Sequence, residues 1–154
     1  MSICIRYTRD EGEAMEIVND SYMKVLDRLQ EYDQSRPFKN WYGKILVNTA
    51  IDNYRKNQKN NEFLPLETVD ETGESDPEIE TELSVNDILT LYSYLPANYR
   101  MTFNLFEIEG YSHEEIGQML GVTASTSRAN LARAKKMLRD LYCRHIIPVK
   151  KSHE

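Results

Sequence analysis

The chain has 154 residues, a formal net charge of −6 and a 40% hydrophobic content, enough for one ordinary folded domain or two small ones. No apolar run approaches membrane-spanning length, and the N-terminal "MSICIRYTRDEGEA" lacks a secretory apolar segment, so no membrane insertion and a cytoplasmic location are expected. Cys4 and Cys143 stand near opposite ends, and His113, His145 and His153 lack ligand spacing. The thiols read as small reduced hydrophobes, and neither a disulfide framework nor a metal centre is expected.

In chain order, residues 11–31 predict an amphipathic helix. Ala14, Ile17, Val18, Val25, Leu26 and Leu29 recur at spacings that share one face, with Glu13, Asp20, Lys24 and Asp27 outside. Pro37 biases Arg36 out of the helical region, so "EYDQSRPF" (31–38) reads as a loop. Residues 39–59 predict a second helix with Trp41, Ile45 and Leu46 on its apolar side and Asn48, Asp52 and Arg55 in a polar line. Trp41 is expected in the core rather than as a platform for stacked bases. The span 60–83 holds two Pro, one Gly and a sustained negative charge, which is linker composition. It is expected to be a flexible, protease-sensitive tether between two folded units.

Four more helices follow. Ser84 is placed to cap one that runs to Tyr94, and residues 98–109 give a second that stops at Gly110. Ser112 caps "HEEIGQML", whose early Glu114 and Glu115 suit the positive end of a helix dipole. Gly121 ends that helix, Thr123 caps the next, and "ASTSRANLARAKKMLRDLY" completes it. No stretch shows convincing β-alternation, so the fold class is all-α.

Charge is segregated along the chain. Residues 61–87 carry ten acidic side chains and no basic one; residues 121–151 carry eight basic side chains against Asp140 alone; residues 35–60 carry six against Asp52 alone. Two basic modules therefore flank an acidic strap, and basic blocks on helices make phosphate-binding surfaces.

The stretch 110–142 follows the plan helix, glycine turn, helix. Ile116, Leu120 and Val122 supply an apolar wedge, Gly117 is small where two helix axes approach, and Leu131 and Ala134 face inward. Arg128, Arg133, Lys135 and Lys136 project from the second helix. A basic helix that only keeps the protein soluble would need none of the small residue, the turn and the cap in register with it, and DNA binding is the better reading. A helix fits the major groove, where Arg bridges guanine O6 and N7.

"LPANYRMTFNLFEIEGYSHEEIGQMLGVTASTSRANLARAKKMLRDL" resembles region four of the sigma-70 family. "RDEGEAMEIVNDSYMKVLDRLQEYDQSRPFKNWYGKILVNTAIDNYRKNQK" resembles region two of the extracytoplasmic-function (ECF) sigma factors, whose motif is carried by Phe38, Trp41, Ile45, Asn48, Ala50, Asp52 and Arg55. The resemblance implies two small helical domains, residues 1–59 (region two) and 84–154 (helix-turn-helix region four), joined by the acidic linker 60–83. Its implied function is that of a dissociable RNA polymerase subunit that directs core enzyme to promoters. Implied partners are core polymerase through its beta-prime clamp and beta flap, promoter DNA and an anti-sigma factor; no cofactor is implied.

The resemblance also assigns positions. Arg128 and Arg133 match those that read −35 bases, with Ala129 and Ala132 in close contact between them. Arg100, Ser125, Thr126 and Lys135 are implied phosphate contacts. Asn48, Asp52 and Arg55, with Arg36 and Lys39 beside them, match the −10 surface, and the loop 32–39 matches the one that captures a flipped −10 base. Glu16, Asn19, Asp20 and Tyr22 match the surface that docks on the polymerase clamp.

Departures from the family pattern are the missing helix before "SICIRY", which points to a truncated start or a reduced region two, Asn19 and Leu26 where Gln and Trp are commoner, and Ser127 where Val is commoner. A plain helix-turn-helix regulator that does not join polymerase is the alternative, but it gives residues 32–59 no purpose. No nucleophile–base set or glycine-rich phosphate loop supports an enzyme. The charge map adds one expectation: in the free protein the strap, or an anti-sigma factor, covers the recognition helix or holds the basic modules together.

Overall fold

The computed structural model describes residues 2–60 and 85–145, and among them it contains seven α-helices and no strand. The acidic strap, the Ser84 cap, Met1 and residues 146–154 lie outside the described residues. The first half comprises α1 (Ser2–Ile5), α2 (Glu11–Arg28) and α3 (Phe38–Asn60); the second comprises α4 (Val85–Tyr94), α5 (Ala97–Phe103), α6 (His113–Leu120) and α7 (Ala124–His145).

Caps set several of the boundaries. Asp10 Oδ1 accepts from Glu13 N at 2.9 Å and starts α2. The helix ends at Arg28 rather than at residue 31, because Leu29–Glu31 tighten into one 3₁₀ turn. Ser112 forms a full capping box with Glu115 at the head of α6. Its backbone N–H and hydroxyl donate to that carboxylate and hold it below the usual carboxylate range. Gly121 closes α6 in the left-handed region at φ 71°, and Thr123 Oγ1 accepts from Thr126 N at 3.0 Å to open α7.

The helix expected over 98–109 has a break in it. After Phe103 the chain widens into a turn of i→i+5 type over Asn104–Ile108, with Glu109 N bonded to Asn104 O at 3.0 Å. Asn104 is fully buried there, and its Nδ2 donates both to Arg100 O and to Arg6 O, 98 positions away. Nothing in helical periodicity announces such a turn, which forms where a side chain draws the ladder open.

Apolar burial is continuous between the halves. Cys4, Tyr7, Ala14, Ile17, Leu46, Val47, Ala50 and Ile51 from the first half join Met101, Leu105, Ile116 and Leu120 from the second in one cluster. Burial raises the Cys4 thiol above its ordinary range. A smaller cluster seats α4 on the far end of α7 through Leu91, Leu138, Leu141 and Tyr142.

Three expected core assignments are corrected. Leu26 and Leu29 are 65% and 53% exposed, because α2 buries the side carrying Ala14, Ile17, Ser21 and Val25, which leaves Leu26 outward, and Leu29 in the 3₁₀ turn after it is outward as well. Trp41 is only half-buried and lies outside the core cluster.

Gly117 is buried, and a Cβ built on it would stand 2.7 Å from Val122 O and 3.3 Å from Ala124 N. Its neighbour is thus the backbone of the turn, not a second helix axis. Gly117→Ala is expected to destabilise the second half by about 1–3 kcal/mol through this overpacking, measured by urea unfolding; an unchanged midpoint would contradict the tight fit.

Candidate nucleic-acid interface

The glycine seat and the capped turn fix α7 against α5 and α6. Leu131 and Ala134 point inward, 7% and 0% exposed. Ser125, Arg128, Ala132 and Lys136 consequently share the exposed side of α7, with Ala129 and Arg133 half-buried beside them. The spacing 125, 128, 129, 132, 136 is that of a single helix face. Of the sequence-predicted base-reading set, Arg128, Ala129 and Ala132 share this face, whereas Arg133, five residues after Arg128, lies well round the helix from it.

Several of these side chains already have partners. Arg128 pairs with Glu114 at 3.4 Å, with side chains 57% and 66% exposed. Lys135 Nζ stands 2.7 Å from Glu107 Oε1. The Thr126 hydroxyl is 2.9 Å from that of Thr123. A phosphate approaching these positions competes with protein partners held in high dielectric, where each pair contributes little.

Ser127, an unusual residue at its position by resemblance, is fully buried, and its hydroxyl lies 3.0 Å from His113 Nδ1. His113 in turn stacks on Phe106 with ring centroids 4.4 Å apart. This ties the start of α7 to the start of α6. The sequence hinted at it only through the departure at 127.

One implied phosphate contact is corrected. Arg100 is 1% exposed and donates to Tyr92 O at 3.3 Å. Burial, the largest influence, pushes its guanidinium down from the ordinary arginine range, with Glu13, Arg9 and Asp10 of the other half acting electrostatically on it. A guanidinium held inside the core presents nothing to a phosphate in this arrangement.

The first half carries a second face. Arg36, Lys39, Asn48, Asp52 and Arg55 are all exposed, but they are not one uniform surface. Asp52 pairs with Lys24 at 2.8 Å across the α2–α3 crossing, and Arg36 pairs with Asp33 at 3.3 Å. Arg55 reaches the second half instead: its Nε donates to Met119 O and its Nη2 to Gln118 O.

Around the loop 32–39 the rings of Tyr32, Phe38 and Trp41 lie with centroids 5.1–5.7 Å apart, and Tyr42 stacks on Phe38 at 5.7 Å and 17°. Phe38 is 46% exposed. Phe38, Trp41 and Tyr42 stand at helical spacing in the first turns of α3, but the expected helix starts at residue 39 and Tyr32 joins them from the start of the loop, so the cluster was not read from the sequence. Beside it a cleft of about 630 Å³ is lined by Arg6, Arg36, Lys39, Trp41, Lys44 and, from the second half, Glu109 and Tyr111.

On α2, Glu16, Asn19, Asp20 and Tyr22 are all exposed. They sit among Met15, Met23, Leu26 and Leu29, exposed by 44–65%. So many large apolar groups on one outward helix side mark an interaction surface. No described helix is long and apolar enough to cross a membrane, and no described His, Cys, Asp or Glu cluster has metal-holding geometry.

Residues 1–60 match the family described as Sigma-70 region 2, and residues 86–138 match Sigma-70, region 4. The ECF RNA polymerase sigma factor SigE of Mycolicibacterium smegmatis is 30% identical over 149 residues, covering 93% of this chain and 57% of its own length. The RNA polymerase sigma factor SigV of Bacillus subtilis is 28% identical over 137 residues, covering 89% of this chain and 80% of its own. The chain thus spans little more than half of the mycobacterial relative and four-fifths of the Bacillus one. Among solved structures, the sigma factor RpoE of Bartonella quintana, crystallised with the anti-sigma factor NepR, shares the fold with a TM-score of 0.56 at 21% identity, covering 94% of this chain and 89% of that one. With both regions present in the family's order on one helical frame, the chain belongs to the sigma-70 family, in its extracytoplasmic-function group.

Proposed function

We propose that the protein is a non-catalytic, cytoplasmic promoter-specificity subunit that binds core RNA polymerase and directs it to promoters with −35 and −10 elements. The observation that carries this reading is the pairing, in one chain, of a basic recognition face on α7 with an aromatic and basic face at the start of α3. A helix-turn-helix regulator uses only the first. Residues 1–59 would serve −10 recognition and polymerase docking, 60–83 would link, and 84–154 would serve −35 recognition.

Arg128 and Arg133 read base edges in the major groove, Ala129 and Ala132 allow close approach, and Ser125, Thr126 and Lys135 set register on phosphates. The half-buried Trp41 with Phe38 and Tyr32 gives unpaired −10 bases a surface on which to stack, with Arg36 and Lys39 beside it for the backbone and Asn48 and Asp52 further along α3. Opening of the duplex is then favoured because extruded bases gain contacts that paired ones lack.

The α2 surface of Tyr22, Met23 and Leu26 around Glu16, Asn19 and Asp20 docks on the beta-prime clamp, and the second half reaches the beta flap. An anti-sigma factor is a further partner, an inference supported by the RpoE–NepR complex of the structural neighbour.

Two experiments test the reading. In fluorescence anisotropy with promoter and random duplexes, Arg128→Ala is expected to lose promoter affinity selectively, by about 1–3 kcal/mol, whereas Lys135→Ala weakens both duplexes alike and flattens the salt dependence. Equal losses of Arg128→Ala on both duplexes would remove the base-reading role. In a pull-down on core polymerase, Leu26→Asp is expected to abolish retention at unchanged helicity; full retention would move the docking surface elsewhere.

A further inference from the structure

Two side-chain contacts join the head of α6 to the head of α7, and both span 14 positions: His113 to Ser127 and Glu114 to Arg128. They stand one residue apart on each helix, as neighbouring rungs. The outer rung is an exposed ion pair, screened by solvent and of small worth. The inner rung differs. Ser127 is 0% exposed, so solvent cannot replace the imidazole whose Nδ1 lies 3.0 Å from its hydroxyl. That imidazole is itself pinned, stacked on Phe106 at 4.4 Å and 17°. Phe106 belongs to the widened turn 104–108, so the turn, α6 and α7 all meet at this one bond.

A hydrogen bond does at this place what an apolar contact would not. Apolar packing is non-directional and yields to a small rotation of one helix on another at little cost. A hydrogen bond weakens steeply as its angle departs from linear, and so resists that rotation. Rotation of α7 matters most at Arg128, the residue directly after Ser127. A bidentate arginine–guanine pair needs two N–H groups aligned at once, and a group with such a task has to be held within about 0.5 Å and 10–20°. Phosphate contacts tolerate more, because they rest mainly on charge.

We propose that His113 and Ser127 are positioning residues for −35 reading: their hydrogen bond fixes the rotation of α7, so that the Arg128 guanidinium arrives at a guanine edge with both donors aligned. This role rests on the base reading proposed above for Arg128. Ser127 is fully buried and acts only through its neighbours. Glu114 holds the guanidinium from the solvent side until the base replaces it. The bond therefore contributes to discrimination between sequences and not to affinity for duplex DNA in general.

The test uses the full chain and a duplex that it selects from a pool randomised over the −35 element, with each base pair of that duplex then changed singly. Fluorescence anisotropy gives the discrimination at each position as a ratio of dissociation constants, and Arg128→Ala locates the position that Arg128 reads. There Ser127→Ala is expected to lower discrimination about fivefold, the lower end of what one bidentate pair supplies, with affinity for random duplex and its salt slope unchanged. His113→Phe keeps a ring for Phe106 without the bond and should lose as much. His113→Asn, whose amide stands close to the place of Nδ1, should keep most of the discrimination. With Arg128→Ala in place, Ser127→Ala should change nothing further. Full discrimination in Ser127→Ala and His113→Phe, an equal loss on every duplex, or an Asn variant as poor as the Phe one overturns the positioning role. If Ser127→Ala fails to fold, the two His113 variants decide alone. A pool from which no sequence is enriched, or Arg128→Ala losing all duplexes alike, overturns the base reading itself and the positioning role with it.

Discussion

The contact between Gly117 and the backbone of the turn at Val122–Ala124 is the constraint on which the DNA-facing geometry depends. With no side chain at 117, the turn lies directly on α6, and Gly121 reverses the chain in the left-handed region without penalty. From there Thr123 starts α7 on a fixed azimuth. Leu131 and Ala134 then meet the core, and the opposite side of the helix carries Ser125, Arg128 and Ala132 outward. A shift of the turn would rotate that whole face. His113, held between Phe106 and Ser127, braces the same junction from the other end of α6.

The cations proposed to meet DNA are not idle in its absence. Arg128 with Glu114 and Lys135 with Glu107 are surface pairs of small individual worth. Their carboxylates orient the guanidinium and ammonium, and a closely placed phosphate, with its full charge and several acceptor oxygens, outcompetes them. Arg55 differs, since its partners are helix-end carbonyls in the other half. Exchange of partners, rather than exposure of free charge, is the electrostatic event that DNA binding at α7 would bring.

Much of the fold was legible in the sequence because it rests on local signals. The Ser112 cap, the Gly121 stop, the Thr123 cap and the inward Leu131 and Ala134 all follow from side-chain chemistry within a few residues, and the structure has them in place. What depends on distant partners was not legible. Arg100 looks like any surface arginine until the fold buries it and Tyr92 O accepts from it, and Leu26 has the right spacing for a core face that α2 directs to solvent instead. The widened turn at 104–108 arises with Asn104 reaching Arg6, a contact across 98 positions that no window of sequence contains. The aromatic group around Trp41 was misjudged for the same reason, since a loop brings Tyr32 beside residues of the next helix.

The central claim is that this chain confers promoter recognition on polymerase, and run-off transcription from a promoter library tests it most directly. Purified core enzyme alone and core enzyme with the full chain would be compared on the same library. Transcripts are expected only when the chain is present, from templates sharing a −35 and a −10 element, with Arg128→Ala altering which −35 sequences are used. Transcription that is unchanged by the chain on every template, while the chain still binds duplex DNA, would contradict it and leave a simple helix-turn-helix DNA binder.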